Sequence, residues 1–149
     1  MHFGATMLTL SKTLFNEIST HAEADYPHEC CGGLIGTIDG DNKIVTQVVP
    51  IENNWEDKGD ETKTRRFMIT SDDYRQLERK ASDENAQLLG FYHSHPDHPP
   101  EPSETDLKFA WPFFSYPILS VHKGVRDCMK SYELDLDSNR LVEEGLDIS

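Results

Sequence analysis

Two histidines separated by a single residue, His93 and His95, follow an apolar stretch that runs from Leu88 to Tyr92. Successive side chains of a strand point to opposite faces, so both imidazoles are expected on the same side. A carboxylate, Asp106, comes eleven residues after His95. Two imidazoles, one carboxylate and an open fourth position are typical of a catalytic zinc site, where the metal lowers the pKa of bound water to about 7. The spacing therefore predicts a hydrolytic site with one Zn²⁺ held by these three residues.

A zinc hydrolase also needs a carboxylate that carries protons to and from the water. Four residues are candidates. Asp97, Glu101 and Glu104 lie in or near the proline-rich loop after His95, and Glu29 lies upstream, before a glycine-rich stretch. Spacing alone does not choose between them. The stretch from Ser103 to Asp106 also fits a helix capping box, which starts a helix without any metal.

The elements around these residues predict an α+β fold. Helix signals occur over about residues 11–24, from a cap at Ser71 to about residue 83, and from Ser103 to about Ala110. Strand signals occur over residues 29–38, 43–49, 66–69, 87–95, 116–121, 128–136 and 140–146, with Pro50 ending the second of them. Residues 51–65 are polar and predict a long loop. Without a linker or repeat, 1–149 is expected to form a single domain, a mixed β-sheet flanked by helices.

Composition limits the classes of partner. Hydrophobic residues make up 36% and charged residues 28% of the chain, and the formal net charge is −13. So acidic a surface repels phosphate backbones, which argues against nucleic acid. No apolar run reaches the roughly 20 residues of a membrane helix, and the N-terminus lacks the pattern of a signal peptide. The expected location is therefore cytoplasmic; no pattern indicates an oligomeric state.

The cysteines do not offer a second metal site. Cys30 and Cys31 are adjacent, and Cys128 stands alone. An odd number of cysteines without regular spacing argues against a disulfide framework, and the lack of a CxxC pair argues against a thiolate zinc site. All three are predicted to be small, semi-buried apolar side chains.

The order His93-x-His95, seven residues, Ser103, two residues, Asp106 resembles the HxH-x7-S-x2-D signature of the JAMM (MPN-type) zinc metalloproteases. Residues 27–36 resemble the upstream segment that carries the catalytic glutamate of that family. The resemblance spans about residues 8–136, the expected core of the domain. It implies a JAMM/MPN fold, which is related to that of the cytidine deaminases.

The resemblance also implies roles for the residues. His93, His95 and Asp106 would hold zinc, and Glu29 would be the general base that later protonates the leaving amine. Ser103 would hydrogen-bond the water or the tetrahedral oxyanion. The implied reaction is hydrolysis of a peptide or isopeptide bond. Short members look like peptidases that act at the Gly-Gly C-terminus of ubiquitin-like or sulfur-carrier proteins.

Other functions remain alternatives. Residues 93–98 also fit HxHxDH, the metallo-β-lactamase signature, which would add Asp97 and His98 as ligands. That fold needs further downstream histidines and only His122 remains, so His98 is expected at the rim of the site. A non-catalytic module that holds ubiquitin-like tails and a zinc hydrolase of small molecules are also possible. A deaminase is disfavoured because the chain has no PCxxC pair.

Overall fold

The computed structural model describes residues 6–53 and 69–149. Within these ranges the chain forms, in order, β1 (Met7–Leu10), α1 (Lys12–Asp25), β2 (Cys31–Asp39), β3 (Asn42–Ile51), α2 (Ser71–Asp83), β4 (Gln87–Pro96), α3 (Glu104–Lys108), β5 (Ser115–His122), β6 (Val125–Asp135) and β7 (Arg140–Ile148). The expectation for the loop 51–65 and the short strand 66–69 falls largely on residues 54–68, outside the described residues.

The strands form one mixed sheet, which confirms the α+β prediction, and this sheet closes into a barrel in the order β1-β3-β2-β4-β5-β6-β7. β1 pairs in parallel with both β3 and β7, and β4 pairs in parallel with β5, whereas the other pairs are antiparallel. Closure was not predicted, because the four residues of β1 are too short a run to give a strand signal. β7 lies beyond residues 8–136, so the sheet is larger than the expected core.

The central strand β4 is buried on both faces. Tyr92 belongs to an apolar cluster that includes Ile18 and Ala22 of α1, and its neighbour Phe91 belongs to a second cluster with Leu77 of α2. Neighbouring side chains of a strand point to opposite faces, and covered faces favour a continuous apolar run. This explains why the segment before His93 contains almost no polar residue.

Local hydrogen bonds set the helix starts. The Ser11 hydroxyl accepts from the Leu14 N–H at 3.1 Å, as predicted for the cap of α1. The cap of α2 is Thr70, so the prediction of Ser71 is wrong by one residue. Thr70 is the N-cap because Asp73 lies three residues after it, and the two residues form a reciprocal capping box.

Three other boundaries differ from the prediction. β3 continues through Pro50 to Ile51, because β1 covers only the stretch Asn42 to Ile44. Among the described strands, Pro50 pairs only with β2. On the other edge of β3 no described strand faces Pro50, so the lack of a proline N–H costs no hydrogen bond there. α3 ends at Lys108 rather than near residue 110, and β6 begins at Val125 rather than 128.

The cysteines divide into two environments. Cys30 and Cys31 are fully buried in the two apolar clusters, which agrees with small apolar side chains but exceeds the predicted semi-burial. Cys128 is exposed, which contradicts the prediction of semi-burial. Cys128 lies in the first part of β6, where four consecutive residues are exposed.

Candidate metal centre

The pairing of β2 with β4 brings two distant segments together. The strands are antiparallel, with Cys31 opposite His93. Two residues further in this register, Glu29 comes opposite His95, and the Ser94 N–H donates to the Cys30 carbonyl at 3.1 Å. Positions two apart on a strand share a face. Glu29 therefore reaches the face of the two histidines although it lies far upstream in the sequence.

A capping box at the start of α3 places the third candidate ligand. The Asp106 N–H donates to the Ser103 hydroxyl at 3.1 Å, and the Ser103 N–H donates to Asp106 Oδ2 at 2.8 Å. These two bonds satisfy donors that a helix start leaves without partners. They also fix the Asp106 carboxylate in one orientation, facing the histidines.

Three side-chain atoms converge at this point. His93 Nε2 lies 3.1 Å from His95 Nε2 and 3.3 Å from Asp106 Oδ1, and His95 Nε2 lies 3.2 Å from Asp106 Oδ2. Ligands held 2.0–2.1 Å from a tetrahedral zinc ion are separated from one another by about 3.3 Å. The arrangement of His93, His95 and Asp106 therefore fits one zinc ion with a fourth position open.

A hydrogen bond outside the cluster orients one of the imidazoles. His95 Nδ1 lies 3.0 Å from the Pro99 carbonyl oxygen, which can only accept a hydrogen bond. The proton of a neutral ring is then on Nδ1, and the lone pair of Nε2 faces Asp106 and His93. Such a partner on the other ring nitrogen is the usual support of a metal-binding histidine.

The protonation states suit metal binding. Burial alone would raise the pKa of Asp106, but its interactions with the neighbouring His93 and His95 outweigh burial and lower this pKa, so the carboxylate is ionised. Burial lowers the pKa of His93 more than the neighbouring Asp106 raises it, which favours the neutral imidazole. Metal ligands must be deprotonated in this way.

Of the four candidate proton carriers, the structure brings Glu29 to the histidines. Its side chain is buried, and its ligand atom lies within 4.8 Å of those of His93 and His95. A single water molecule can bridge such a separation. The other three candidates are exposed: Asp97, Glu101 and Glu104.

The β-lactamase alternative does not fit this geometry. Asp97 turns away from the cluster, because its carboxylate accepts hydrogen bonds from the Tyr26 hydroxyl and the Lys123 N–H. His98 is exposed, and its carbonyl accepts from the Ser120 hydroxyl at 2.7 Å. Neither residue joins the buried pair His93 and His95 in the way that the HxHxDH signature requires.

A cavity of about 390 Å³ opens beside His93 and Asp106. Its walls are mostly apolar and aromatic, and include Phe91, Phe109, Trp111, Tyr116, Ile118 and Leu141. Trp111 packs edge-to-face on Tyr74, with ring centroids 5.0 Å apart. The motifs in the sequence did not indicate this cavity. The density of aromatic residues between 109 and 116 was the signal that could have indicated it.

Comparison with known proteins is consistent with this geometry. Residues 11–134 match the family described as prokaryotic homologs of the JAB domain. A desampylase from Haloferax volcanii is 34% identical over 78% of this chain and 82% of its own length. The CysO-cysteine peptidase of Mycobacterium tuberculosis is 27% identical over 86% of this chain and 83% of its own length.

Solved structures agree on the fold. A solution structure of a protein from Desulfitobacterium hafniense, 29% identical, superposes with a TM-score of 0.81 over 96% of this chain and 93% of that one. A JAB1/MPN domain protein from Archaeoglobus fulgidus, 19% identical, shares the fold with a TM-score of 0.57 over 98% and 99% of the two chains. Within the described residues, no helix is long and apolar enough to span a membrane. The chain belongs to the family of prokaryotic JAB-domain homologs, as the resemblance to the JAMM/MPN proteins predicted.

Proposed function

We propose that this chain is a zinc-dependent peptidase that hydrolyses an amide bond at the C-terminus of a ubiquitin-like or sulfur-carrier protein. The observation that carries the proposal is the convergence of His93, His95 and Asp106 at 3.1–3.3 Å with Glu29 beside them. The named relatives, a desampylase and a CysO-cysteine peptidase, support the substrate class. The domain is proposed to be the whole chain, since β1 and β7 close one barrel.

Two imidazoles and one carboxylate would hold the metal. His93 and His95 would supply Nε2 lone pairs, and the ionised Asp106 would supply a negative charge that balances part of the charge of the ion. Zinc bound there would polarise the scissile carbonyl and make a water molecule acidic enough to attack near neutral pH. Burial of the three side chains excludes other solvent and strengthens their electrostatic effect.

Glu29 and Ser103 would carry the remaining chemistry. The Glu29 carboxylate takes a proton from the attacking water and delivers it to the amide nitrogen as the C–N bond breaks. The Ser103 oxygen accepts the N–H of Asp106, so its own hydrogen is left to donate to the tetrahedral oxyanion. A donor at that position can contribute a few kcal/mol to the transition state.

The surroundings suit a thin tail attached to a folded protein. The candidate metal centre lies at the ends of β2 and β4. A Gly-Gly tail can approach it there because glycine has no side chain that would collide with the protein. The apolar cavity beside His93 can accept an apolar side chain of the substrate. The net charge of −13 favours a substrate surface that is neutral or basic.

The substrate proposal is tested with a ubiquitin-like carrier whose Gly-Gly C-terminus is joined to a short peptide by an amide bond. We expect the zinc-loaded protein to release the peptide and a chelator to stop the release, whereas a carrier with bulky residues in place of Gly-Gly should resist cleavage. Tight binding of the carrier without cleavage by the zinc-loaded protein would instead favour the alternative of a non-catalytic module. Equal cleavage of carriers with and without the Gly-Gly pair would contradict the proposed substrate class.

A further inference from the structure

The peptide unit between Glu29 and Cys30 is held by side chains at both of its ends. It lies just before the first residue of β2, Cys31. The Asn53 side-chain amide donates to the Glu29 carbonyl oxygen at 3.0 Å. The Cys30 N–H, on the other end of the same peptide unit, donates to the Ser94 hydroxyl at 2.8 Å. Two buried side chains therefore fix this peptide plane: Asn53, which follows β3, and Ser94, which lies in β4.

The strand register explains why Asn53 is in this place. In the pairing of β2 with β3, Cys31 lies opposite Ile51. Two residues further, the same register brings Asn53 opposite Glu29. β3 itself ends at Ile51, so the amide of Asn53 continues the pairing through a side chain instead of the backbone. Asn53 is 8% exposed, and a buried amide without a partner would be costly.

Glu29 thus stands between two neighbours across the sheet. His95 lies opposite it on the β4 side, and Asn53 lies opposite it on the β3 side. A residue before a strand lacks the full set of ladder bonds that fixes backbone angles inside the strand. A rotation of the Glu29–Cys30 peptide would swing the Glu29 carboxylate relative to the histidines, and an error of about 1 Å can cost a large part of the rate.

We propose that Asn53 is a positioning residue that fixes the carboxylate of Glu29 at the metal centre by holding the carbonyl of the same residue. This inference rests on the proposed function, in which Glu29 transfers the proton. Asn53 acts through Glu29 and supplies no ligand to the metal. Its removal should therefore lower the rate of the proton-transfer step and leave metal binding intact.

The test uses the zinc-loaded full chain and the Gly-Gly carrier fused to a peptide. We expect Asn53→Ala to lower kcat about tenfold, with KM and bound zinc within about twofold of the original protein. In a Glu29→Gln background the same substitution should change the residual rate by less than about twofold, because its effect passes through Glu29. An equal loss in both backgrounds, or an unchanged kcat, would overturn the proposal. Asn16→Ala, which removes an exposed amide on α1 that contacts Arg126, serves as the control.

A second readout does not depend on activity. In protein labelled with ¹³C at the glutamate carboxyl carbons, the Glu29 signal is the one that disappears in Glu29→Gln. We expect Asn53→Ala to shift or broaden this signal and Asn16→Ala to leave it unchanged. A Glu29 signal whose position and width are unchanged in Asn53→Ala would overturn the proposal even if no substrate is ever cleaved. Failure of the carrier assay alone would contradict the proposed function and leave this readout to decide.

Two further measurements guard against a variant that does not fold. Asn53→Asp keeps the side-chain shape but replaces the donating NH₂ with an acceptor, so it should reproduce the loss in kcat. In the original protein, NMR should detect a scalar coupling across the hydrogen bond from the Asn53 amide to the Glu29 carbonyl. If that coupling is absent from the folded, zinc-loaded protein, the proposal is wrong without any substitution.

Discussion

The candidate site contains two carboxylates that are positioned by opposite means. Asp106 is oriented locally, by a capping box with Ser103 only three residues away. Glu29 is oriented by tertiary structure, through the register of β2 with β4 and the amide of Asn53. A helix cap can therefore place a proposed metal ligand with little help from the fold, whereas the proposed proton carrier depends on correct strand pairing. Substitutions can separate the two.

The largest effect is expected at the proposed metal ligands. His95→Ala removes one of the three converging atoms, and we expect loss of bound zinc together with loss of detectable peptide release. The protein should remain folded, because His95 lies at the end of β4 and outside both apolar clusters. Metal analysis and circular dichroism check the two statements. Retention of one zinc per chain by the variant would exclude His95 as a ligand.

Removal of the proposed proton carrier is expected to lower activity nearly as much and to leave metal binding intact. Glu29→Gln keeps the size of the side chain but cannot accept the proton, so kcat should fall by roughly 10²–10⁴-fold. Zinc content should stay at one per chain, because Asp106 completes the proposed ligand set. Loss of zinc in this variant would show that Glu29, which lies within 4.8 Å of the histidine ligand atoms, binds the metal itself.

Two helix caps provide a matched pair with smaller effects. Ser11 caps α1 and has no proposed role in chemistry, so Ser11→Ala should lower the free energy of unfolding by about 1 kcal/mol and leave kcat unchanged. Ser103→Gly removes the hydroxyl donor, and a glycine at an N-cap lowers stability by only a few tenths of a kcal/mol. We expect stability close to the original and a kcat lower by about 10- to 100-fold. Equal activity of the Gly variant would restrict Ser103 to its structural role.

The smallest effect is expected from chemical labelling of the cysteines, which tests the burial of Cys30, the residue after Glu29. Burial raises the pKa of the Cys30 thiol to about 12, the Ser94 hydrogen bond opposing it only in part, so at pH 8 this thiol remains protonated and unreactive. Cys128 is exposed. We expect a thiol reagent at pH 8 to label Cys128 quickly and the other two cysteines only after unfolding, as mass spectrometry can show. Rapid labelling of Cys30 in the folded protein would contradict the packing of β2 against β4.

The same contrast explains how much the sequence could predict. Signals that act over a few residues predicted the cap at Ser11, the start of α3 at Ser103 and the common face of His93 and His95. Partners that meet only in the folded chain could not be found in that way: β1 pairs with β7 across almost the whole length, and Asn53 meets Glu29 through the strand register. Glu29 itself was singled out by family resemblance, since spacing left four carboxylates open.

The most direct measurement is a crystal structure of the zinc-loaded protein with anomalous scattering recorded at the zinc edge. The account predicts one zinc ion per chain about 2.0–2.2 Å from His93 Nε2, His95 Nε2 and one oxygen of Asp106. It also predicts that the carboxylate of Glu29 meets the ion only through a water molecule. A zinc ion bound directly by Glu29 in place of Asp106, or located away from this cluster, would contradict it.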